Sequence, residues 1–394
     1  MRLQTAGGPA HLTYCTNIHP AESAPEVLAS LETHLPEVKR RVSPEAPMGV
    51  GLRLGAEAAA ALEAEQLETL LDRLGCYVFT INGFPYGPFH GQAVKESVYR
   101  PDWSRPERLA YTTKLADLLA GLLPEDCAGS LSTVPVTFKA WADEATIEAA
   151  VANLVDCAAH LSRLEQETGR KIVLALEPEP CCLLETIAET VAFFDERLFA
   201  PDGVARFASA SGRDRGSAEE ALRRHLGLCY DVCHAAVEFE DPEESFAALE
   251  TAGIAVAKLQ ISAALRLPRV DGRAVDALRR FDEALYLHQV VARRNGVLTR
   301  YADIPQAMAA RAAAPADEWR VHFHVPIFLD EVAPFATTQP FLEAVLERQR
   351  TRPVSEHLEV ETYTWDVLPP ELRLDDLGAS IARELDWVKG RLAE

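Results

Sequence analysis

Eight short apolar or β-branched runs recur along the chain, and a longer stretch with helical spacing follows most of them. The runs are residues 12–18, 49–54, 77–82, 130–136, 172–177, 226–231, 256–262 and 357–363. Helical patterns cover Glu57–Leu74, Glu144–Glu167 and Leu372–Leu392. Alternation of this kind predicts parallel strands joined by helices, and eight repeats is the count of a (β/α)8 TIM barrel. A ninth run, RVHFHVPIF over 320–328, exceeds the count. Either it belongs to an excursion between strands seven and eight, or residues 12–18 lie outside the barrel; the excursion is preferred. Residues 203–216, rich in Ser, Arg and Gly, are expected to form a surface loop. The expectation is one barrel domain over 1–394, elaborated before its last strand.

Composition narrows the function classes. The chain has 394 residues and a formal charge of −21, from 39 basic and 60 acidic side chains. So negative a surface repels phosphate backbones, which argues against general nucleic-acid binding. No run of about 18 apolar residues suits a membrane span, and the N-terminus has no secretory pattern. The eight cysteines show no paired zinc spacing, so reduced thiols in a cytoplasmic protein are expected.

Barrel enzymes place their chemistry at the C-terminal ends of the strands. Here several apolar runs close on polar groups. Glu177 ends IVLALE, and a carboxylate buried there alone is costly. Asp231 ends LGLCYD, and His234 follows in D-x-x-H spacing, an oxygen and a nitrogen donor suited to a divalent metal. Each also has a plainer reading: a solvated strand end for Glu177, a helix N-cap for Asp231, a core histidine for His234. In VAKLQIS, alternation puts Lys258, Gln260 and Ser262 on one face. In HLEVETY it does the same for Glu359, Glu361 and Tyr363, and an inward ion pair between Lys258 and Glu359 is expected. His322 and His324 are spaced to share a face of a strand and meet one metal. Strands one and three end at Asn17 and His19 and at Asn82. The loop after strand three carries Phe84, Tyr86, Phe89 and His90, and could roof a sugar pocket or bury its aromatics against a second subunit of a homo-oligomer.

Together these residues resemble the xylose isomerase-like superfamily, which holds sugar isomerases and epimerases, inosose dehydratases and isomerases, and endonuclease IV. More narrowly, TYCTNIHPAES, TINGFPYGPFHG and HLEVETYTWDVLP look like the EboE "metabolite traffic" family, associated with moving or processing a secondary-metabolite precursor. The resemblance implies carboxylate ligands at Glu177, Asp231 and Glu361, and a histidine ligand at His234. Gln260 stands where most relatives have His or Asp. His322 and His324 fall where endonuclease IV has a D-x-H pair, and His90 where an extra-metal histidine can lie. It implies a divalent Mn, Zn or Mg ion and proton transfer by Glu177 and Glu361, with Lys258 among the catalytic candidates. The substrate would be a small polyhydroxylated sugar or cyclitol, held by Asn17, His19, Asn82, Phe84, Tyr86, Phe89 and His90. Two alternatives remain: metal-assisted phosphoester hydrolysis and a non-catalytic binding barrel.

Overall fold

The computed structural model describes residues 1–5, 7–369 and 376–393. Eight parallel strands carry the architecture: β1 (Gly8–Tyr14), β2 (Met48–Arg53), β3 (Cys76–Asn82), β4 (Gly129–Thr133), β5 (Ile172–Leu176), β6 (Leu226–Asp231), β7 (Ala255–Ile261) and β8 (His357–Val360). Their order around the sheet runs β1, β8, β7, β6, β5, β4, β3, β2. The last seam, between β1 and β2, is closed by a parallel bridge from Cys15 to Gly51. Thr13 Oγ1 reinforces it, donating to Gly49 O at 2.8 Å and accepting from the Gly51 amide at 2.9 Å. A short strand, Arg2–Thr5, adds an antiparallel hairpin at the edge of β1.

Helices follow from local signals. Glu144–Thr168 starts at Asp143, whose side chain accepts from the Thr146 amide. It stops at Gly169, whose φ of 74° suits a residue without a Cβ. The Glu57–Leu74 pattern resolves into two helices, Ala56–Ala61 and Ala64–Leu74, parted at Leu62. The expected loop over 203–216 is mostly helix: Pro201–Ser211 opens on a proline, and Arg215–His225 is capped by Asp214. Strong caps outweigh the low propensity of Ser and Gly there. The last helix spans Leu377–Ala393, and the start expected at Leu372 lies outside the described residues. No helix among the described residues is long and apolar enough to cross a membrane.

The ninth run belongs to an excursion between β7 and β8. It contributes Glu318–Val321 to a six-stranded antiparallel sheet that also contains Leu265–Leu267 and Val290–Arg294. The strand ends before His322, so the two histidines ride on an irregular segment rather than on a ladder. That segment is held in place by His322 N to Gln289 O and Val325 N to Ala263 O, at 2.8 and 2.9 Å.

Inside the barrel, alternation turns Lys258 and Glu359 inward, and both are fully buried. They form the expected ion pair. Register pairs Glu359 with Gln260, not Lys258, so the lysine stem reaches one step up the neighbouring strand. Gly51 makes the room: a Cβ there would lie 1.7 Å from Glu359 Oε1.

Candidate metal centre and cavity

Above that pair, the strand ends converge. Glu177, Asp231 and Glu361 each offer an oxygen, and these oxygens lie within 4.8 Å of one another. All three residues are buried. Asn17 and Asn82 both donate to Glu361 Oε1, at 2.6 and 2.9 Å. Ser262 Oγ and the His234 amide donate to Asp231 Oδ1, at 2.7 and 3.1 Å. Glu177 Oε2, Asp231 Oδ2 and both polar atoms of Gln260 have no hydrogen-bond partner, though each is buried. Burial first, then the charges of Asp231 and Glu359, push the Glu361 carboxyl up to about 8. Burial and the charges of Glu361 and Asp231 push Glu177 well above the usual carboxylate range. An uncompensated carboxylate trio of this kind is costly unless protonated or shared by a cation.

The histidines supply the other half. His234 Nδ1 lies 2.9 Å from Pro178 O, His322 Nδ1 2.8 Å from Gln289 Oε1, and His324 Nδ1 2.6 Å from Glu361 O. Carbonyl partners require a proton on Nδ1, which leaves Nε2 of each ring as a lone pair. Gln289 is itself oriented, since its Nε2 reaches Tyr99 Oη, Glu179 Oε1 and Pro180 O. The Nε2 atoms of His234 and His322 then face one another at 3.2 Å, and His324 Nε2 has no partner. Burial holds His324 down at about 4 and pushes His322 well below the usual histidine value. Lone pairs aimed at one space, with Nδ1 anchored behind, are a donor set that could hold a metal ion. Asp231, His234 and His324 also converge within 4.8 Å, which links the two halves.

A cavity opens over these groups. Asn17, Asn82, Glu177, Glu179, His234, His322, His324 and Glu361 line its floor. The loop after β3 forms much of its roof, with Phe84, Phe89, Val94 and Lys95. Glu22 anchors the loop by accepting from the Phe89 amide at 2.8 Å, and Arg53 by donating to Gly87 O at 2.7 Å. Leu285 O from the excursion receives the amides of Val94 and Lys95.

Several expected residues lie elsewhere. His19 bonds Tyr14 Oη at 3.1 Å and stacks on His34, because the turn after β1 carries it outward. Tyr86 packs on Tyr111 behind the roof, and His90 lies against Phe89 without lining the cavity. Lys258 sits below the floor, paired with Glu359, and does not line the cavity. One oxygen of Glu177 and one of Glu361 lie within 4.8 Å of each other. Glu179, Tyr99 and Gln289 were not among the expected residues: Tyr99 Oη donates to Glu179 Oε1 at 2.6 Å, and Gln289 joins from the excursion. The second carboxylate of the sequence E-P-E-P was the available signal.

No protein-family model matches the chain, and no curated protein does. Among solved structures, the chain is similar to an L-ribulose 3-epimerase, at 16% identity over 71% of this chain and 80% of that one, with a TM-score of 0.37. It is also similar to the IolI protein with a bound zinc atom, at 12% identity over 97% of each chain, TM-score 0.45. A third is a xylose isomerase domain-containing protein from Salmonella typhimurium, at 14% identity over 97% of each chain, TM-score 0.40.

Proposed function

We propose that this chain is a metal-dependent enzyme of the sugar isomerase or epimerase type, acting on a small polyhydroxylated metabolite. The observation that carries the reading is the trio Glu177, Asp231 and Glu361, buried and within 4.8 Å, beneath a lined cavity. Lys258 opposes their charge from below, but it is committed to Glu359. Glu177, Asp231, Glu361 and His234 would hold a divalent ion, with Gln260, His322 and His324 as further donors. Such an ion stabilises negative charge developing on a carbonyl oxygen and its neighbouring hydroxyl.

The remaining residues divide the work. Asn17 and Asn82 orient Glu361. Glu179 lines the same floor, and burial raises its carboxyl above the usual range. It is the carboxylate placed to take a proton from the carbon beside the carbonyl and return it to the adjacent carbon. Lys258 acts as a positioning residue. Similarity of the segments at 13–23, 80–91 and 357–369 to the EboE family supports a role in processing or moving a secondary-metabolite precursor.

The test is deuterium exchange. Metal-loaded protein incubated in deuterated water with small aldoses, ketoses and inososes should place deuterium on the carbon beside the carbonyl. Glu179→Gln should abolish exchange and keep the metal, whereas Glu177→Gln should lose both. Exchange that is unaffected by Glu179→Gln contradicts its assignment. No exchange with any of these substrates contradicts the isomerase reading.

A second reading, hydrolysis of a small phosphate ester, is favoured by one feature: three histidines, His234, His322 and His324, line the cavity in addition to the carboxylates. It requires two or more ions per chain.

A further inference from the structure

Gln289 joins the excursion to the barrel half of the site. It is fully buried and directly precedes the strand Val290–Arg294. Its backbone carbonyl accepts from the His322 amide at 2.8 Å, and its side-chain Oε1 lies 2.8 Å from His322 Nδ1. Its Nε2 reaches three groups of the barrel half: Tyr99 Oη at 2.9 Å, Glu179 Oε1 at 3.1 Å and Pro180 O at 3.2 Å. Tyr99 Oη gives its own hydrogen to Glu179, so it accepts from the amide. Pro180 O can only accept. Turning the amide over would set oxygen against oxygen there. Oε1 therefore stays on His322, and His322 must carry its proton on Nδ1.

The other tautomer has a ready partner. His234 Nδ1 lies 2.9 Å from Pro178 O, which leaves His234 Nε2 as a lone pair, 3.2 Å from His322 Nε2. A neutral His322 with nothing on Nδ1 would gain a hydrogen bond by moving its proton to Nε2 and donating to His234. Gln289 opposes that move and keeps two lone pairs face to face. Two nitrogens at this separation can share one ion, at bond lengths of about 2.0–2.1 Å.

We infer that Gln289 is a positioning residue: held by Pro180, Tyr99 and Glu179, its amide locks His322 in the Nδ1–H tautomer and keeps Nε2 open toward His234. Residues beyond β5 thus decide where a histidine of the excursion carries its proton. The use of that open nitrogen as a metal donor rests on the proposed function above; the tautomer does not.

The test is nitrogen-15 NMR of the full metal-free chain with labelled histidine at pH 8, where burial keeps His322 neutral. The His322 signals are assigned by their loss in His322→Gln. Nδ1 should carry the proton, and Nε2 should give the signal of an unprotonated ring nitrogen. Gln289→Met, similar in volume, should move the proton to Nε2. Gln289→Glu, whose carboxylate still accepts from Nδ1, should return it. Zinc affinity should fall about tenfold to a hundredfold in Gln289→Met, the usual loss for a group that orients a metal ligand, and recover in Gln289→Glu. A proton on Nε2 in the unsubstituted chain overturns the inference and needs no variant. A Gln289→Met spectrum that keeps the Nδ1–H form overturns it as well, even if zinc affinity falls, and leaves the metal site standing. If the tautomer moves as stated but zinc affinity does not change, the positioning stands and His322 falls as a metal donor. If the unsubstituted chain binds no zinc, the metal reading falls and the tautomer alone decides the inference.

Discussion

Two layers of charge are stacked inside this barrel, and they follow opposite rules. In the lower layer, Lys258 and Glu359 are completely buried and bound to each other. Burial opposes the lysine's charge, but the charge of Glu359 prevails and raises its pKa. In the upper layer, one oxygen each of Glu177, Asp231 and Glu361 converges within 4.8 Å, and Glu177 Oε2 and Asp231 Oδ2 have no hydrogen-bond partner. Strand β8 and the segment just beyond it contribute to both layers, through Glu359 below and Glu361 above. A charge neutralised from within the chain belongs to the architecture. A charge left open at the mouth of the barrel belongs to what the site binds.

The comparison breaks most sharply at Lys258. Lys258→Met should cost about 3–5 kcal/mol in denaturant melts, because Glu359 is stranded in the core. Adding Glu359→Leu should recover much of that loss. A double variant as unstable as the single one would contradict the pairing. Gly51→Ala attacks the same layer from its neighbour and should cost about 1–3 kcal/mol, since the new methyl group occupies the space of Glu359 Oε1.

The upper layer should respond in the opposite sense. Glu177→Gln removes a carboxyl whose ionised form is disfavoured by burial and by the charges of Glu361 and Asp231, and should stabilise the metal-free protein at pH 8. Metal affinity should meanwhile fall at least a hundredfold, the upper range for loss of supporting groups around a metal. Destabilisation of the metal-free protein would show that this carboxylate is structural after all.

The smallest effect is the pH dependence of melting. Glu361 has a folded pKa of about 8, above the usual carboxylate value. Its contribution to stability is therefore full below the ordinary pKa and is lost as pH rises through about 8. Metal-free protein should melt progressively lower between pH 5 and 9, by roughly a few degrees. Added Zn2+ or Mn2+ should raise the melting temperature more at pH 8.5 than at pH 5.5, where protons compete for the carboxylates. An equal gain at both pH values would argue against binding at this trio.

Strands such as IVLALE and LGLCYD were legible because they are buried on both faces and read as apolar runs. Their polar endings marked Glu177 and Asp231, and period-two alternation marked Lys258 and Glu359. Alternation is a local rule, so it works where a residue's neighbours set its direction. The strand-end expectation failed at His19, where a turn of 3-10 helix over Thr16–Ile18 follows the strand and redirects the side chain. It could not reveal Glu179, Tyr99 and Gln289, whose meeting depends on three distant segments. Helical spacing likewise missed Pro201–Ser211 and Arg215–His225, where caps rather than an apolar stripe carry the signal. Tyr86 and His90 show the limit for the roof: its aromatic content was readable, but which rings face inward depends on Arg53 and Glu22 holding the loop.

Whether the upper layer binds a metal is read most directly by elemental analysis of purified protein combined with anomalous diffraction from its crystals. At least one divalent ion per chain is expected, with its anomalous peak about 2.0–2.6 Å from oxygens of Glu177, Asp231 and Glu361. A chain that stays metal-free after incubation with Zn2+ and Mn2+, or a peak bound elsewhere while these oxygens remain bare, would contradict it.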